Sequence, residues 1–176
     1  MYNHIKEIVA DSEKTGKPIS ELIIEQECQM SGLPREKVWN KMKYNLETMR
    51  DAVKKGRSGN GVFSSTGLTG GEAVKIKKYI EKGHTLSGDT IMTAVQNAVA
   101  TNEVNAAMGV ICATPTAGSS GTLPGVLFLF EKRLNLTQEQ KIHFLFTAGG
   151  FGMVIANTAG IAGATGGCQA EVGSDS

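Results

Sequence analysis

The stretch that decides the fold is Arg35-Glu-Lys-Val-Trp-Asn-Lys-Met-Lys-Tyr-Asn-Leu-Glu-Thr-Met-Arg-Asp-Ala-Val-Lys-Lys55. Its apolar side chains recur at the spacing i, i+4, i+8, i+11 and i+15, and they are Val38, Met42, Leu46, Met49 and Val53. Side chains with this spacing lie along one face of an α-helix. The stretch therefore predicts a long amphipathic helix, with Pro34 at its first turn.

Two shorter helices are predicted before this one. Apolar residues at helical spacing mark both of them: Ile5, Ile8 and Val9 in the first, and Leu22, Ile23 and Ile24 in the second. Gly16 ends the first helix, Pro18 and Ser20 open the second, and Gly32 ends it. Three helices with short connections form a small antiparallel unit, so we predict an N-terminal helical unit at residues 1–55, packed on the rest.

The remaining chain, residues 56–176, holds all but two of the 22 glycines. We predict a linker at Gly56–Gly61 and a glycine-rich helical domain after it. Its predicted helices run from Glu72 to Lys82, from Ser87 or Asp89 through Ala113, from about Pro124 to Arg133, and from Thr137 toward Asn157. The strand-like run at 126–130 lies too close to a helix start to form a strand. The predicted fold class is all-α.

Composition excludes several classes of protein. A net charge of +1 gives no electrostatic footprint for nucleic acid. The three cysteines, Cys28, Cys112 and Cys168, are odd in number and have no CxxC spacing, and no signal peptide opens the chain. We therefore expect a cytoplasmic protein.

One uncharged segment, residues 144–170, is long enough to span a bilayer. Its glycines and its polar residues, Thr147, Asn157, Thr158, Thr165 and Gln169, disfavour that interpretation. We interpret it as a buried helix followed by a loop, with no membrane association.

Three glycine-rich loops stand next to predicted helices, at 63–71, 114–121 and 163–173. The first two carry hydroxyls, and N–H groups converge with the helix dipole at such a helix start. Each is therefore either an anion cradle or an ordinary helix cap. Asn105, like Asn97 and Asn102, either faces a pocket or satisfies neighbouring backbone. Together the loops suggest one composite pocket for a small anion.

The third loop holds Cys168, followed by Gln169 and Glu171. Small neighbours allow a cysteine to reach an inorganic centre. One cysteine does not hold such a centre, because zinc and iron–sulfur sites use about three or four protein ligands. The other ligands would come from a partner chain or from further sequence.

Four segments, in order along the chain, resemble the α subunit of iron–sulfur-dependent L-serine dehydratase. They are Ser65-Thr-Gly-Leu-Thr-Gly-Gly71, Ala100-Thr-Asn-Glu-Val-Asn-Ala-Ala-Met-Gly109, Ile111-Cys-Ala-Thr-Pro-Thr-Ala-Gly-Ser-Ser-Gly121 and Gly166-Gly-Cys-Gln-Ala-Glu-Val-Gly173. The resemblance runs from the N-terminal helices to Gly173. It implies a helical catalytic domain, of which residues 56–176 would be an incomplete N-terminal portion.

The resemblance also implies the activity and the cofactor. The family converts L-serine to pyruvate and ammonia, as an L-serine ammonia-lyase, with a 4Fe-4S cluster whose iron acts as a Lewis acid. Cys168 matches a cluster ligand, whereas the other cluster cysteines lie in a downstream motif that this chain lacks. We therefore expect a C-terminally shortened α subunit that is inactive and without an intact cluster on its own. Cys28 and Cys112 are interpreted as structural residues.

Expected partners are L-serine, a β subunit and further copies in a homo- or hetero-oligomer. Hydroxyls, an amide and glycines of the loops are expected to bind the substrate: Ser64, Ser65, Thr66, Thr69, Asn105, Thr116, Gly118 and Gly121. Ser119 or Ser120, or a group of the β subunit, is the candidate base. His4, His84 and His143 lie outside the loops and are interpreted as surface or structural residues.

Two other classes of function remain open. A pyridoxal-phosphate dehydratase could use the glycine loops for phosphate, but it would need a buried Schiff-base lysine, whereas Lys75, Lys77 and Lys78 fall on a charged helix face. A non-catalytic assembly or anion-binding subunit is the other alternative. The sequence leaves open the oligomeric state, the identity of the base and the preference for serine over threonine.

Overall fold

The computed structural model describes residues 2–159 and Ile161. Within them the chain forms seven α-helices and no strand. The helices are α1 (Ile5–Thr15), α2 (Ile19–Ser31), α3 (Arg35–Ser58), α4 (Glu72–Glu81), α5 (Gly88–Ala106), α6 (Thr122–Leu134) and α7 (Gln138–Thr158). The all-α prediction is confirmed, and the strand-like run at 126–130 is helical. In this part of the chain, no helix has the length and apolar character needed to cross a membrane.

Local signals define most helix ends as predicted. Gly16 and Gly32 follow α1 and α2 with φ angles of 68° and 66°, in the left-handed region that favours glycine. At the start of α7, Thr137 Oγ1 accepts from the Gln140 N–H at 3.2 Å. The Gln140 side chain accepts in return from the Thr137 N–H at 2.8 Å, which completes a capping box.

The main hydrophobic core lies among α1, α2, α3, α6 and α7. The predicted stripe of α3 faces it, with Leu46 1% exposed and Met42 half-buried at the edge. Leu127 of α6 and Ile142 of α7 complete the centre. Beside this core, Glu131 accepts from both terminal guanidinium nitrogens of Arg50 at 2.9 Å and from Lys141 at 2.5 Å, so charged side chains of α3, α6 and α7 are paired.

The helices α3, α6 and α4 all approach α5 closely. A Cβ added at Gly56 of α3 would overlap the Ala100 carbonyl of α5, and one added at Gly121 would overlap the Ala98 carbonyl. At Gly125 of α6 an added Cβ would lie 3.0 Å from the Ala94 carbonyl oxygen. The third neighbour, α4, reaches α5 through hydrogen bonds to Gln96 and Glu103. The helix α5 is therefore the centre of the second half of the fold.

Two predicted boundaries are wrong. The helix α3 continues through Gly56 to Ser58, so the predicted linker begins with a helical turn. The division of the chain into two units stays a prediction. The helix α5 ends at Ala106 and does not reach Ala113. It stops because Met108 has a φ of 61° and the Gly109 N–H turns back to the Val104 carbonyl at 2.8 Å.

Replacing Gly56 by Ala should destabilise the chain by about 1–3 kcal/mol, because the new methyl group would overlap the backbone of α5. Gly149→Ala is the matched control, since a Cβ at this helical position in α7 meets nothing within 4 Å. That control should gain about 0.5–1 kcal/mol from helix propensity. Urea unfolding of both variants measures the difference, and equal stabilities would show that α3 and α5 are less close than described.

Candidate functional site

Two of the three predicted loops lie at the same end of α5. A small apolar cluster of Val62, Ala52 and Val104, with Ile111 packed against it, joins the segment before Ser64 to the segment after Gly109. The last turns of α5 contact both loops, through Glu103 on one side and Asn105 on the other. The third loop, with Cys168, lies outside the described residues.

The loop Ser64–Gly71 is held by its own hydroxyls. The Ser64 N–H donates to the Thr69 carbonyl at 3.0 Å, and the Thr69 N–H donates to Ser64 Oγ at 3.2 Å. Ser64 Oγ also lies 3.2 Å from Thr66 Oγ1. Ser64 is half-buried, whereas Ser65, Thr66 and Thr69 are exposed. Three hydroxyls of this loop therefore face solvent at the surface.

The helix start after this loop already holds a carboxylate. The N–H groups of Glu72 and Ala73 donate to Glu103 Oε1, at 3.2 Å for Ala73. The Glu72 side chain in turn accepts from the Gly70 N–H at 2.8 Å. A helix N-terminus is a favourable place for an anion, and here Glu103 of α5 supplies it.

Sequence reasoning missed Glu103. Glu103 lies within the segment Ala100–Gly109 that carries the family resemblance, but that pattern gives it no role. A usable signal exists, because Glu103 is the only charged residue between Asp89 and Glu131. Only 3% of it is exposed, and a buried charge in a helix of small residues calls for a partner.

The turn Thr114–Gly121 is built around Ser119. The Ser119 hydroxyl donates to the Thr114 carbonyl at 2.6 Å and lies 3.1 Å from Thr116 Oγ1. The Asn105 amide donates to the Ala117 carbonyl at 3.1 Å, which ties the turn to α5. Asn105 thus satisfies neighbouring backbone, one of the two roles considered for it.

Two hydroxyls of this turn are buried without a partner. Among the described residues, neither Thr114 Oγ1 nor Ser120 Oγ has a hydrogen bond, although Ser120 is 0% exposed and Thr114 is 9% exposed. Burying a polar group unpaired costs about 1–3 kcal/mol. Such groups are uncommon and call for an explanation, and both lie in the turn that precedes α6. They are the strongest candidates for ligand contacts in the turn.

A cavity of about 720 Å³ is lined by Cys112, Thr114 and Pro115 and by apolar side chains of α3 and α7. This volume is large enough for a small ligand. Burial raises the pKa of the Cys112 thiol, which lowers its reactivity at neutral pH. Cys28 is half-buried in α2 and packs against the main core. Both positions fit the structural roles expected for these cysteines.

The described residues alone do not form an iron–sulfur site. They contain no group of three or more His, Cys, Asp or Glu side chains that could hold a metal ion. His143 packs edge-on to Trp39 at 5.1 Å between ring centres, and its Nδ1 lies 3.0 Å from Ser20 Oγ, away from the loops. His4 and His84 are exposed.

The fold and the site define an all-α domain in which a central helix holds two hydroxyl-bearing loops at the starts of neighbouring helices. A family model described as "Serine dehydratase alpha chain" matches residues 14–176. The chain belongs to the serine dehydratase alpha chain family.

Named relatives agree with this assignment. The "Probable L-serine dehydratase, alpha chain" of Bacillus subtilis is 54% identical over 176 residues, which are 100% of this chain and 58% of that protein. The "L-serine dehydratase, alpha chain" of Peptoniphilus asaccharolyticus is 34% identical over 176 residues, 100% of this chain and 60% of that protein. The chain spans about three fifths of the length of these two relatives. No solved structure matches it.

Ser119→Ala and Ser120→Ala should differ in stability. Loss of the Ser119 hydroxyl leaves the buried Thr114 carbonyl without this donor, so unfolding should become easier by about 1–3 kcal/mol. Loss of the Ser120 hydroxyl removes a buried group that has no partner among the described residues, so the change should be near zero or stabilising. Thermal unfolding of the two variants side by side provides the test, and a larger loss at Ser120 would contradict the assignment.

Proposed function

We propose that the chain is part of an L-serine dehydratase α subunit, which converts L-serine to pyruvate and ammonia. The observation that carries the proposal is the pair of buried hydroxyls of Thr114 and Ser120, which have no partner among the described residues and lie in the turn before α6. They stand in a segment that matches the family, whose relatives are named L-serine dehydratase alpha chains. A ligand with hydrogen-bonding groups would account for hydroxyls that the fold leaves unpaired.

The substrate carboxylate is proposed to bind at Thr116–Gly121. Thr116 and Ser120 offer hydroxyls, Gly118 and Gly121 allow close approach of the backbone, and the first N–H groups of a helix have no intrahelical partner. The loop Ser64–Gly71 contributes differently, because Glu103 already occupies the start of α4. Its exposed hydroxyls on Ser65, Thr66 and Thr69 remain available for the polar groups of the substrate.

The geometry favours Ser120 over Ser119 as the serine that takes part in proton transfer. The Ser119 hydroxyl already donates to the Thr114 carbonyl at 2.6 Å, so it serves the turn itself. The Ser120 hydroxyl has no such bond within the described chain. The alternative is that a β subunit supplies the base for proton transfer.

Cys168 is proposed as the one ligand that this chain gives to a 4Fe-4S cluster, which would act as a Lewis acid on the substrate hydroxyl. We further propose that the chain alone is inactive, that it works with a β subunit in an oligomer, and that it does so in the cytoplasm. The free thiols of Cys28 and Cys112 support a reducing compartment.

Anaerobic reconstitution with iron and sulfide separates the proposed enzyme from the alternatives. Absorption that bleaches in air, found only when the remaining part of the enzyme is present, supports the cluster. An aldimine band after addition of pyridoxal phosphate would support the other dehydratase class. That class needs a buried lysine free to form a Schiff base. Lys141 is buried, but it forms an ion pair with Glu131 at 2.5 Å and is therefore not free. The absence of any absorption band under both conditions would support the non-catalytic assembly role.

Thr116→Val and Ser120→Ala in the complete enzyme should each weaken serine binding by about 1–3 kcal/mol, because each removes a hydrogen bond to a charged group. Cluster content should not change, since neither residue is a proposed iron ligand. Serine titration followed by the cluster spectrum measures both quantities. Ser12→Ala is a control, because that exposed hydroxyl donates to the Lys17 carbonyl far from the loops. Unchanged affinity in both loop variants would leave the turn as a helix cap.

Cys168→Ala in the complete enzyme should abolish the cluster or leave it labile, because Gln169 and Glu171 offer harder ligand atoms than a thiolate. Cys28→Ala is the matched control and should retain iron, since Cys28 packs against the main core. Iron and sulfide analysis, together with pyruvate formation, gives the readout. Equal iron and equal activity in both variants would show that Cys168 is not a ligand.

A further inference from the structure

A second cavity, of about 430 Å³, is lined by residues of α3, α4 and α6. None of its described lining residues belongs to the loop Ser64–Gly71 or to the turn Thr114–Gly121. Charged side chains dominate this lining, with one carboxylate, Glu131, and five cations, Arg50, Lys54, Arg57, Lys77 and Lys132. The described lining therefore has an excess of four positive charges, although the whole chain carries only +1. A cleft lined by one sign of charge raises the local concentration of its counter-ion.

The carboxylate of this cavity is already paired. Glu131 accepts from both terminal guanidinium nitrogens of Arg50 at 2.9 Å and from Lys141 at 2.5 Å. The Arg50 guanidinium also lies over the Phe128 ring, at 4.8 Å from the ring centre. Since Glu131 serves two cations, it does not neutralise the other positive charges of the cavity.

The lysines of the cavity lack strong partners. Within the described chain, the exposed Lys54 and Lys132 form no ion pair. Lys77 Nζ lies 3.8 Å from Glu81 Oε1, an exposed pair of the kind that contributes little. Asp51 and Glu81 lie on the same helices but do not line the cavity. The lysine charges are therefore available to a ligand.

Arg57 adds a donor that is fixed in position. Its Nη1 donates to Asn97 Oδ1 of α5 at 3.2 Å, and Asn97 is a neutral, buried amide. That bond orients the guanidinium without compensating its charge, and its other N–H groups have no partner among the described residues. A guanidinium with several free N–H groups matches the geometry of a phosphate or a carboxylate.

The size and the apolar part of the cavity favour a small molecule. Val53 and Phe128 are the buried apolar members of the lining, whereas Lys54, Lys77 and Lys132 are exposed. A volume of about 430 Å³ lies within the range of small-molecule sites. An organic group can thus rest on the apolar side chains while its anionic group meets the cations.

We propose that this cavity binds a small molecule that carries a phosphate or pyrophosphate group. Phosphate oxygens take the free N–H groups of Arg57 and the ammonium groups of Lys54 and Lys132. Phosphate matches better than a single carboxylate, because the cavity offers an excess of four charges and phosphate groups carry more than one each. This site is separate from the proposed serine site and does not depend on the proposed function.

Calorimetric titration of the full chain with inorganic phosphate, pyrophosphate and adenosine diphosphate tests the proposal, at an ionic strength of about 0.15 M. Pyrophosphate and adenosine diphosphate should bind more tightly than inorganic phosphate, because two linked phosphates reach more of the cations. Tighter binding of adenosine diphosphate than of pyrophosphate would show that the organic part uses Val53 and Phe128. Equal affinity of these two would show that the phosphates suffice. A chain that binds none of the three probes overturns the proposal.

A pair of double variants separates a built site from general attraction by charge. Lys54→Gln with Lys132→Gln should weaken pyrophosphate binding about tenfold or more, because contacts to charged groups are lost. Lys14→Gln with Lys37→Gln is the matched control, since both lysines are exposed and neither lines the cavity. The control should retain the affinity of the wild type within about twofold. Equal weakening in both double variants would show adventitious attraction by net charge and contradict the proposal.

The position of the bound anion is the last readout. Pyrophosphate should shift the backbone amide NMR signals of residues 54–58 and 128–132, and L-serine should not compete with it. Shifts confined to the two loops, or displacement by L-serine, would place the anion at the serine site and overturn the proposal. Binding of a glutamate-rich peptide without binding of any phosphate probe would assign the cavity to an acidic protein partner instead.

Discussion

The close approach of α3 and α6 to α5 is the constraint on which the rest of the structure depends. At Gly56 and Gly121 the backbones lie where no Cβ fits, facing the carbonyls of Ala100 and Ala98. Contacts this close fix both the separation of the helices and their register, because neither helix can slide without a clash. The loops at the end of α5 take their positions from this arrangement, since one precedes α4 and the other precedes α6.

The polar side chains of α5 make sense within that packing. A helix enclosed by close neighbours has little room for large apolar groups, so its buried faces carry Gln96, Asn97, Thr101 and Glu103. Each of them makes a hydrogen bond locally or across a helix contact: Gln96 and Glu103 bind the first turn of α4, Asn97 accepts from Arg57 of α3, and Thr101 donates to the Asn97 carbonyl. Such buried polar contacts specify one arrangement of neighbours, because any other leaves a polar group unpaired.

Features that depend on a few adjacent residues were predictable from the sequence. The stripe of α3, the helix ends at Gly16 and Gly32, and the cap at Thr137 follow local rules, and the structure confirms them. The end of α5 was not predictable, because Ala106 and Ala107 are good helix formers and the stop comes from the backbone of Met108. The extension of α3 through Gly56 was missed because that glycine serves a contact with α5, a residue distant in sequence.

The candidate site shows the same contrast between features set by adjacent residues and features set by contacts distant in sequence. Loop composition indicated where hydroxyls and helix starts meet, and both described loops lie at one end of α5. Composition did not reveal that the start of α4 is filled by Glu103, or that Ser119 serves the turn while Ser120 has no partner within the described chain. These distinctions depend on which donor finds which acceptor, and a single sequence does not carry that information.

Side chains of the helix α5 hydrogen-bond the backbone of the neighbouring segments. Asn105 donates to the carbonyl of Ala117, and Glu103 and Gln96 bind the backbone of Ala73. The loop side chains do not take part in these bonds. Loop sequence and loop position are therefore separable. Substitutions at the exposed positions Ser65 and Thr69 can change what the surface recognises while the scaffold below stays unchanged. This gives the fold a route to new ligand preferences.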